Sequence, residues 1–178
     1  RLVPIKNLLF LLRVLQQMRA DINLTIVGPV EDAAYWQSCL QEINKLPSNV
    51  SINVAGPVPN YALAELLVNH HLFCLPTTGE NFGHSIVESL LSSCPVIISN
   101  NTPWLDLEKE NVGFNFNENN ATAFVKSIEY YASLPTEKFF EIRKSCNLYI
   151  SNKLNLEGTI NNYKNSFNEC IKNRLKYI

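Results

Sequence analysis

Short β-branched runs, each stopping at a turn residue, alternate with amphipathic helical patterns, and this alternation constrains the fold more than any other feature. Residues 22–27 (INLTIV) end at Gly28-Pro29, and residues 50–55 (VSINVA) end at Gly56-Pro57. Residues 71–76 (HLFCLP) and 95–99 (PVIIS) form a third and fourth run, with Val112 to Phe116 a weaker fifth. Short apolar runs of this kind predict strands covered on both faces. Between them, Leu8, Leu11, Leu12 and Leu15 recur at helical spacing over residues 7–19, and residues 32–46, 60–69 and 84–93 follow suit. After the last strand only helices are predicted, over roughly 120–133, 136–150 and 156–175. Strand–helix alternation implies right-handed crossovers and an α/β fold: a Rossmann-like parallel sheet with helices on both faces and a helical C-terminal tail.

Composition narrows the function classes. A length of 178 residues predicts one domain, and 46% apolar against 17% charged residues is a globular balance. A net charge of -1 leaves no electrostatic footprint for nucleic acid. The five cysteines are odd in number and contain no C-x-x-C pair, which argues against a disulfide framework or zinc site and favours a reducing compartment. Cys74 and Cys94 sit in apolar runs and read as small core residues. No apolar run approaches the ~20 residues of a membrane span. The first predicted element is a helix entered through RLVPIKNLL, whereas a doubly wound domain ordinarily starts with a strand. The expectation is a further strand upstream of Arg1.

Ligands of open parallel sheets bind outside the carboxyl ends of the strands. Of the loops there, TTGENFGHSIVESLLSSCPVII is the most informative. Gly79 and Gly83 bracket an acidic, aromatic turn, and a helix starts near His84 or Ser85. Its unpaired N–H groups suit an anionic diphosphate. Glu80 lies in the loop, where it can reach a neutral polyol, and Glu88 lies one turn into the helix. Two ordinary structural roles compete: Ser85-x-x-Glu88 reads as a capping box, and Phe82 as a packing anchor. His84 has no nucleophile partner, and His70-His71 are expected to cap or line the sheet end. Asp106 and Glu108 read as a helix start or exposed loop. No His/Cys/Asp cluster has metal-ligand spacing, and neither G-x-G-x-x-G nor a P-loop occurs.

The central segment resembles the E-x7-E signature of retaining GT-B glycosyltransferases of the family 4 (group 1) type: Glu80, Phe82, Gly83 and Glu88 fall in register, followed by Cys94-Pro95-Val96-Ile97. Arg1, Lys6 and Asn7 resemble the family's Gly-Arg-Leu…Lys-Asn turn, and Gly56-Pro57-Val58-Pro59 its base-holding loop. Thr102-Pro103-Trp104 looks like the corresponding loop of bacterial members acting on surface polysaccharides. The resemblance covers nearly the whole chain, as the donor-binding C-terminal domain (1–178) of an enzyme whose first strand and N-terminal acceptor domain lie outside it. It implies catalytic roles for Arg1 and Lys6, which would neutralise the donor diphosphate, and for Glu80, which would bond hydroxyls of the transferred sugar. Asn81, Phe82 and Gly83 would add backbone contacts, Ser85 and the helix N-terminus would hold phosphate oxygens, Glu88 the ribose hydroxyls, and Val58 the base through its backbone. Two fixed cations remove the need for a metal, and no cofactor is expected.

The implied partners are a UDP- or GDP-sugar and a glycan or lipid-linked acceptor held by the other domain, with no nucleic acid. The implied setting is cytoplasmic, with peripheral contact at the inner membrane face left open. Transfer needs donor and acceptor in near-attack geometry, so the isolated chain is expected to be inactive. Two alternatives stand beside this reading. One is a non-catalytic scaffold or partner-binding module of the same fold, against which the joint presence of Arg1, Lys6, Glu80 and Glu88 counts. The other is half of a sugar-nucleotide epimerase, against which the E-x7-E spacing counts.

Overall fold

The computed structural model describes residues 1–154, so the helix expected over 156–175 and Cys170 lie outside the described residues. After a 3-10 turn at Pro4–Lys6 the elements are α1 (Leu8–Leu15), β1 (Ile22–Val27), α2 (Ala33–Ile43), β2 (Val50–Gly56), α3 (Asn60–Val68) and β3 (Phe73–Leu75). They continue with α4 (His84–Leu91), β4 (Val96–Ser99), β5 (Gly113–Phe116), α5 (Ala121–Ala132) and α6 (Thr136–Leu154). Every strand pairing is parallel. Helices α1, α2 and α5 pack together, as do α3, α4 and α6, giving a helical layer on each face. The α/β reading with helices on both faces therefore holds.

Two expectations need correction. The strands form two sheets, β1-β2 and β3-β4-β5, where one sheet was expected. Among the described residues no strand pairs with the second edge of β1 or with the second edge of β3. The opening segment runs between the C-terminal ends of those two strands. Leu2 bridges Val30 in parallel, with its N–H on Pro29 O at 2.8 Å, and Ile5 O accepts the Thr78 N–H at 2.9 Å. The second correction concerns β2, which was expected to be covered on both faces. Ser51, Asn53, Val54 and Ala55 are exposed, because among the described residues β2 packs chiefly against β1 and no helix lies closely over its faces.

Burial is densest in the other sheet. Val96, Ile97 and Ile98 of β4 are fully buried, and the core continues into Leu90, Leu107, Val112, Phe124 and Ile142. Side-chain oxygens satisfy the helix starts where the sequence supplies them: Asp32 accepts from Tyr35 N–H on α2, and Asn120 from Ala123 N–H on α5. The four described cysteines are free. Cys94 is buried and Cys74 half-buried in the core, and loss of hydration pushes the Cys94 thiol up to about 11 and those of Cys74 and Cys146 to about 12.

Candidate functional site

Three pieces of chain meet where the two sheets adjoin: the 3-10 turn at Pro4–Lys6, the loop from Pro76 to Gly83, and the loop after β4. Pro4 fixes the entry to the turn, and Asn7 leaves it in the left-handed conformation (φ 56°), which starts α1 on a new axis. The turn is fastened to the β3 loop, because Ile5 O also accepts the Thr77 hydroxyl at 2.8 Å. Thr77 is wholly buried, and its own carbonyl accepts the Ser99 hydroxyl at 2.5 Å.

These fastenings bring Lys6 and Glu80 together. The ammonium donates directly to Glu80 Oε1, across 74 positions of sequence. Their side chains are only 26% and 13% exposed, so water screens the pair weakly. The Glu80 backbone is held as well, with its N–H on Asn101 O at 2.9 Å. Asn81 and Phe82 are exposed beside it. Phe82 leans on the His84 ring at 4.9 Å and meets the edge of Trp104 at 5.9 Å. It is thus a surface packing residue at 41% exposure and not an anchor beneath the loop.

Helix α4 begins differently from the pattern Ser85-x-x-Glu88. Its N-cap is Gly83, left-handed at φ 79°, and no side chain caps the helix. A Cβ at Gly83 would stand 2.7 Å from Ile86 Cδ1 and 3.4 Å from Trp104 Nε1, so glycine is needed there on two counts. Ser85 is inside the helix, and the capping box does not form. The N–H groups of His84 and Ser85 have no acceptor among the described residues, as expected of a first helical turn. Glu88, freed from capping, lines a cavity of about 140 Å³ with Asn60, Leu63, Ala64, Leu91 and Ser92, between α3 and α4. Half-buried Val58 lies two residues before Asn60, in the loop entering that helix. Arg1 is exposed and pairs with Glu31 at 3.4 Å.

A family model described as glycosyl transferases group 1 matches residues 1–151. The chain belongs to that family. Among solved structures, it is similar to Anabaena HepE in complex with UDP, at 22% identity and TM-score 0.68, over 93% of this chain and 47% of that one. It is similar to a sucrose-phosphate synthase from Thermosynechococcus elongatus at 17% identity and TM-score 0.74, over 96% of this chain and 44% of that one. TarM matches at 19% identity and TM-score 0.76, over 94% of this chain and 34% of that one. The fold is thus a GT-B half-domain, and the chain spans about half or less of the structures it resembles. No curated protein matches it in sequence.

For this group 1 glycosyl transferase chain, the sequence-predicted residues divide into groups. Lys6 and Glu80 form one contact. Asn81, Phe82, Gly83 and Ser85 lie beside it in one continuous segment. Glu88 and the Val58 loop border α3, and the Arg1 side chain turns to the β1–α2 loop. Sequence reasoning missed the supporting cast: Thr77, Ser99 and Asn101, and the part played by Trp104. Trp104 is 4% exposed and donates its indole N–H to Phe82 O at 2.6 Å. A buried indole usually finds an acceptor, which was a usable hint, but the acceptor's identity depends on how β3 and β4 align. His70 ties the end of α3 to the middle of β1 and not to a sheet end: Nδ1 meets Leu66 O at 2.7 Å and Nε2 meets Thr25 Oγ1 at 2.9 Å. Asp106 sits in the loop between β4 and β5, tied to α6.

Proposed function

We propose that this chain is the donor half of a retaining glycosyltransferase, binding a nucleoside-diphospho-sugar and presenting it to an acceptor hydroxyl. The observation that carries this reading is the Lys6–Glu80 pair beside the first turn of α4. A cation, a polyol-binding acid and two unused N–H groups are the functions that a sugar diphosphate needs in a row. On binding, the pair would exchange partners. Lys6 would turn to the phosphates, and Glu80 to hydroxyls of the sugar. As the glycosidic bond breaks, negative charge grows on the departing diphosphate, and a fixed ammonium with oriented helix amides stabilises that charge. No metal is needed in this scheme. Glu88 would accept from the ribose hydroxyls, since a carboxylate is acceptor-only, and the Val58 backbone would meet the base. Arg1 would swing from Glu31 toward the phosphates. HepE has been solved with UDP and with UDP-glucose, which supports a uridine nucleotide as the first donor to test.

The remaining parts of this reading concern the whole enzyme. Among the described residues β1 and β3 each have an unpaired edge, and the opening segment links their C-terminal ends, which supports a further parallel strand between them that would join the two sheets into one. An acceptor-binding domain would complete the cleft, and the acceptor would be a glycan or lipid-linked sugar in surface polysaccharide or glycolipid synthesis. Among the described residues, no helix is long and apolar enough to cross a membrane; a cytoplasmic setting with peripheral membrane contact is proposed.

Calorimetric titration of this chain with UDP, GDP and ADP tests the reading. One nucleotide should bind, and Lys6→Ala and Glu88→Ala should each remove that binding. Failure of all three to bind wild-type protein would favour a scaffold module of the same fold. Robust glycan product from the isolated chain would overturn the half-enzyme proposal, because half a cleft holds no acceptor in place.

A further inference from the structure

The loop after β4 grips the Glu80 loop at two points three residues apart. At one end Asn101 O accepts the Glu80 N–H at 2.9 Å. At the other, the Trp104 indole N–H donates to Phe82 O at 2.6 Å. Both bonds act on backbone, so between them they fix the peptide plane before Glu80 and the one after Phe82. The second sits next to Gly83, the left-handed N-cap that directs α4.

The gripping loop is itself held from behind. The Trp104 backbone N–H reaches Thr102 Oγ1 at 3.3 Å. Its ring meets Tyr149 of α6 edge-on at 6.3 Å. The Tyr149 hydroxyl donates to Asp106 Oδ1 at 2.5 Å, and Lys153 donates to the other carboxylate oxygen. Trp104 therefore has little freedom to turn away, and its N–H points at one carbonyl.

We propose that Trp104 is a positioning residue for the donor site: its indole N–H sets the Glu80–Gly83 loop and thereby the angle at which Glu80 meets the sugar. The proposal rests on the donor-site reading for its consequence but not for its mechanics. Among the described residues Trp104 itself bonds neither Lys6 nor Glu88, and it reaches Lys6 only through Glu80. Loss of the indole N–H should therefore weaken sugar recognition while sparing nucleotide recognition, a split that general destabilisation would not produce.

Two replacements separate the N–H from the ring. Trp104→Phe keeps an aromatic ring but shrinks it. Installing 3-benzothienylalanine at position 104 keeps the indole's shape and removes only the donor, which covers the case in which the smaller ring fails to fold. The mechanical readout is amide hydrogen exchange of residues 79–85 in ligand-free protein. Faster exchange there, with the β4 amides unchanged, is expected in both replacements. Unchanged exchange at 79–85 overturns the proposal, whether or not any nucleotide binds. The functional readout is the ratio of UDP-glucose to UDP affinity. Losing one hydrogen bond's worth of positioning should reduce that ratio by about three- to tenfold, with UDP affinity itself within about twofold of wild type, a margin well below one such bond. Equal losses for both ligands overturn the proposal. If wild-type protein binds none of UDP, GDP and ADP, the donor-site reading fails, and the exchange measurement alone decides whether Trp104 sets the loop.

Discussion

The two sheets of this domain are built to different standards. In the three-stranded sheet, β4 is covered on both faces and every residue of Val96–Ser99 is buried. In the two-stranded sheet, β1 is mostly half-buried and β2 shows four of its residues to solvent. Glu80 belongs to the well-buried side, through the loop leaving β3. Lys6 stands at the junction, in a turn fastened to β3's loop by Ile5 O and to β1's end by Leu2. The difference teaches that Glu80, the proposed sugar contact, rests on a well-buried core, whereas the segment carrying Arg1 and Lys6 depends on how the junction closes.

The harshest test of that contrast is a methyl group at matched glycines. Gly113 begins β5, and a Cβ there would lie 2.0 Å from Val96 O and 2.9 Å from Val96 C. Backbone cannot yield as a side-chain tip can, so Gly113→Ala should cost about 3 kcal/mol or more, in the range of severe overpacking. Gly56 ends β2, and a Cβ there meets nothing within 4 Å. Only its left-handed φ of 67° is at stake, so Gly56→Ala should cost about 1 kcal/mol. Urea unfolding of both variants measures the difference, and similar losses would break the contrast.

Core truncation should show the same ordering. Ile98→Ala, at a site with no solvent exposure, should cost about 2–5 kcal/mol, since both transfer energy and a cavity are lost. Ile52→Ala in β2, where the side chain is half-buried, should cost about 1 kcal/mol, because less area leaves water and the site can relax. Equal midpoints for the two variants would mean that β2 is better covered in solution than its two-stranded sheet allows.

The ion pair at the junction offers a finer probe. Lys6→Met removes the phosphate's proposed partner and should lower nucleoside diphosphate affinity about tenfold or more, as loss of a charge-assisted hydrogen bond would. Glu80→Gln removes the acid that competes for Lys6. UDP affinity should then hold or rise by up to about threefold, a fraction of a charge-assisted bond, even though the proposed sugar contact is lost. Parallel losses in both variants would show that the pair acts as a unit, and that Glu80 is not a competitor for the ammonium.

How much of this was legible beforehand depended on whether the information was local. The run INLTIV has the observed limits of β1 because β-branching and the Gly28-Pro29 stop are both written within the strand. The exposure of β2 was not legible, since VSINVA reads the same with neighbours on one side or two. Glu80 and Glu88 could be singled out as candidates from their places in the loop and the helix after it, and Lys6 from the resemblance of its turn to the family's Lys-Asn turn. The Ser85-x-x-Glu88 pattern misled because it shows nothing of where the preceding loop ends, and Gly83 starts the helix two residues earlier. Asn101 and Trp104 were invisible as site residues for a different reason. They reach Glu80 and Phe82 only because β3 and β4 pair with Cys74 opposite Ile97, a register that no local pattern records.

The smallest expected effect concerns the anchor behind Trp104. Burial disfavours the charged form of Asp106, but hydrogen bonds from Lys153 and Tyr149 outweigh it and hold the carboxyl below its ordinary value. A depressed folded-state pKa means that the group stabilises the fold above the unfolded pKa of about 3.9 and loses that contribution as pH falls through the folded value. Wild-type stability should therefore carry a small acid-side decline that Asp106→Asn lacks, with the two profiles running parallel near neutrality. The size is limited because the pair is partly open to water, with Asp106 34% and Lys153 46% exposed. Urea midpoints of both proteins from about pH 7 down past the ordinary carboxylate value of about 3.9 follow that decline. If the decline persists unchanged in Asp106→Asn, another carboxylate is responsible, and the α6 end of the Trp104 support is held by packing against Tyr149 alone.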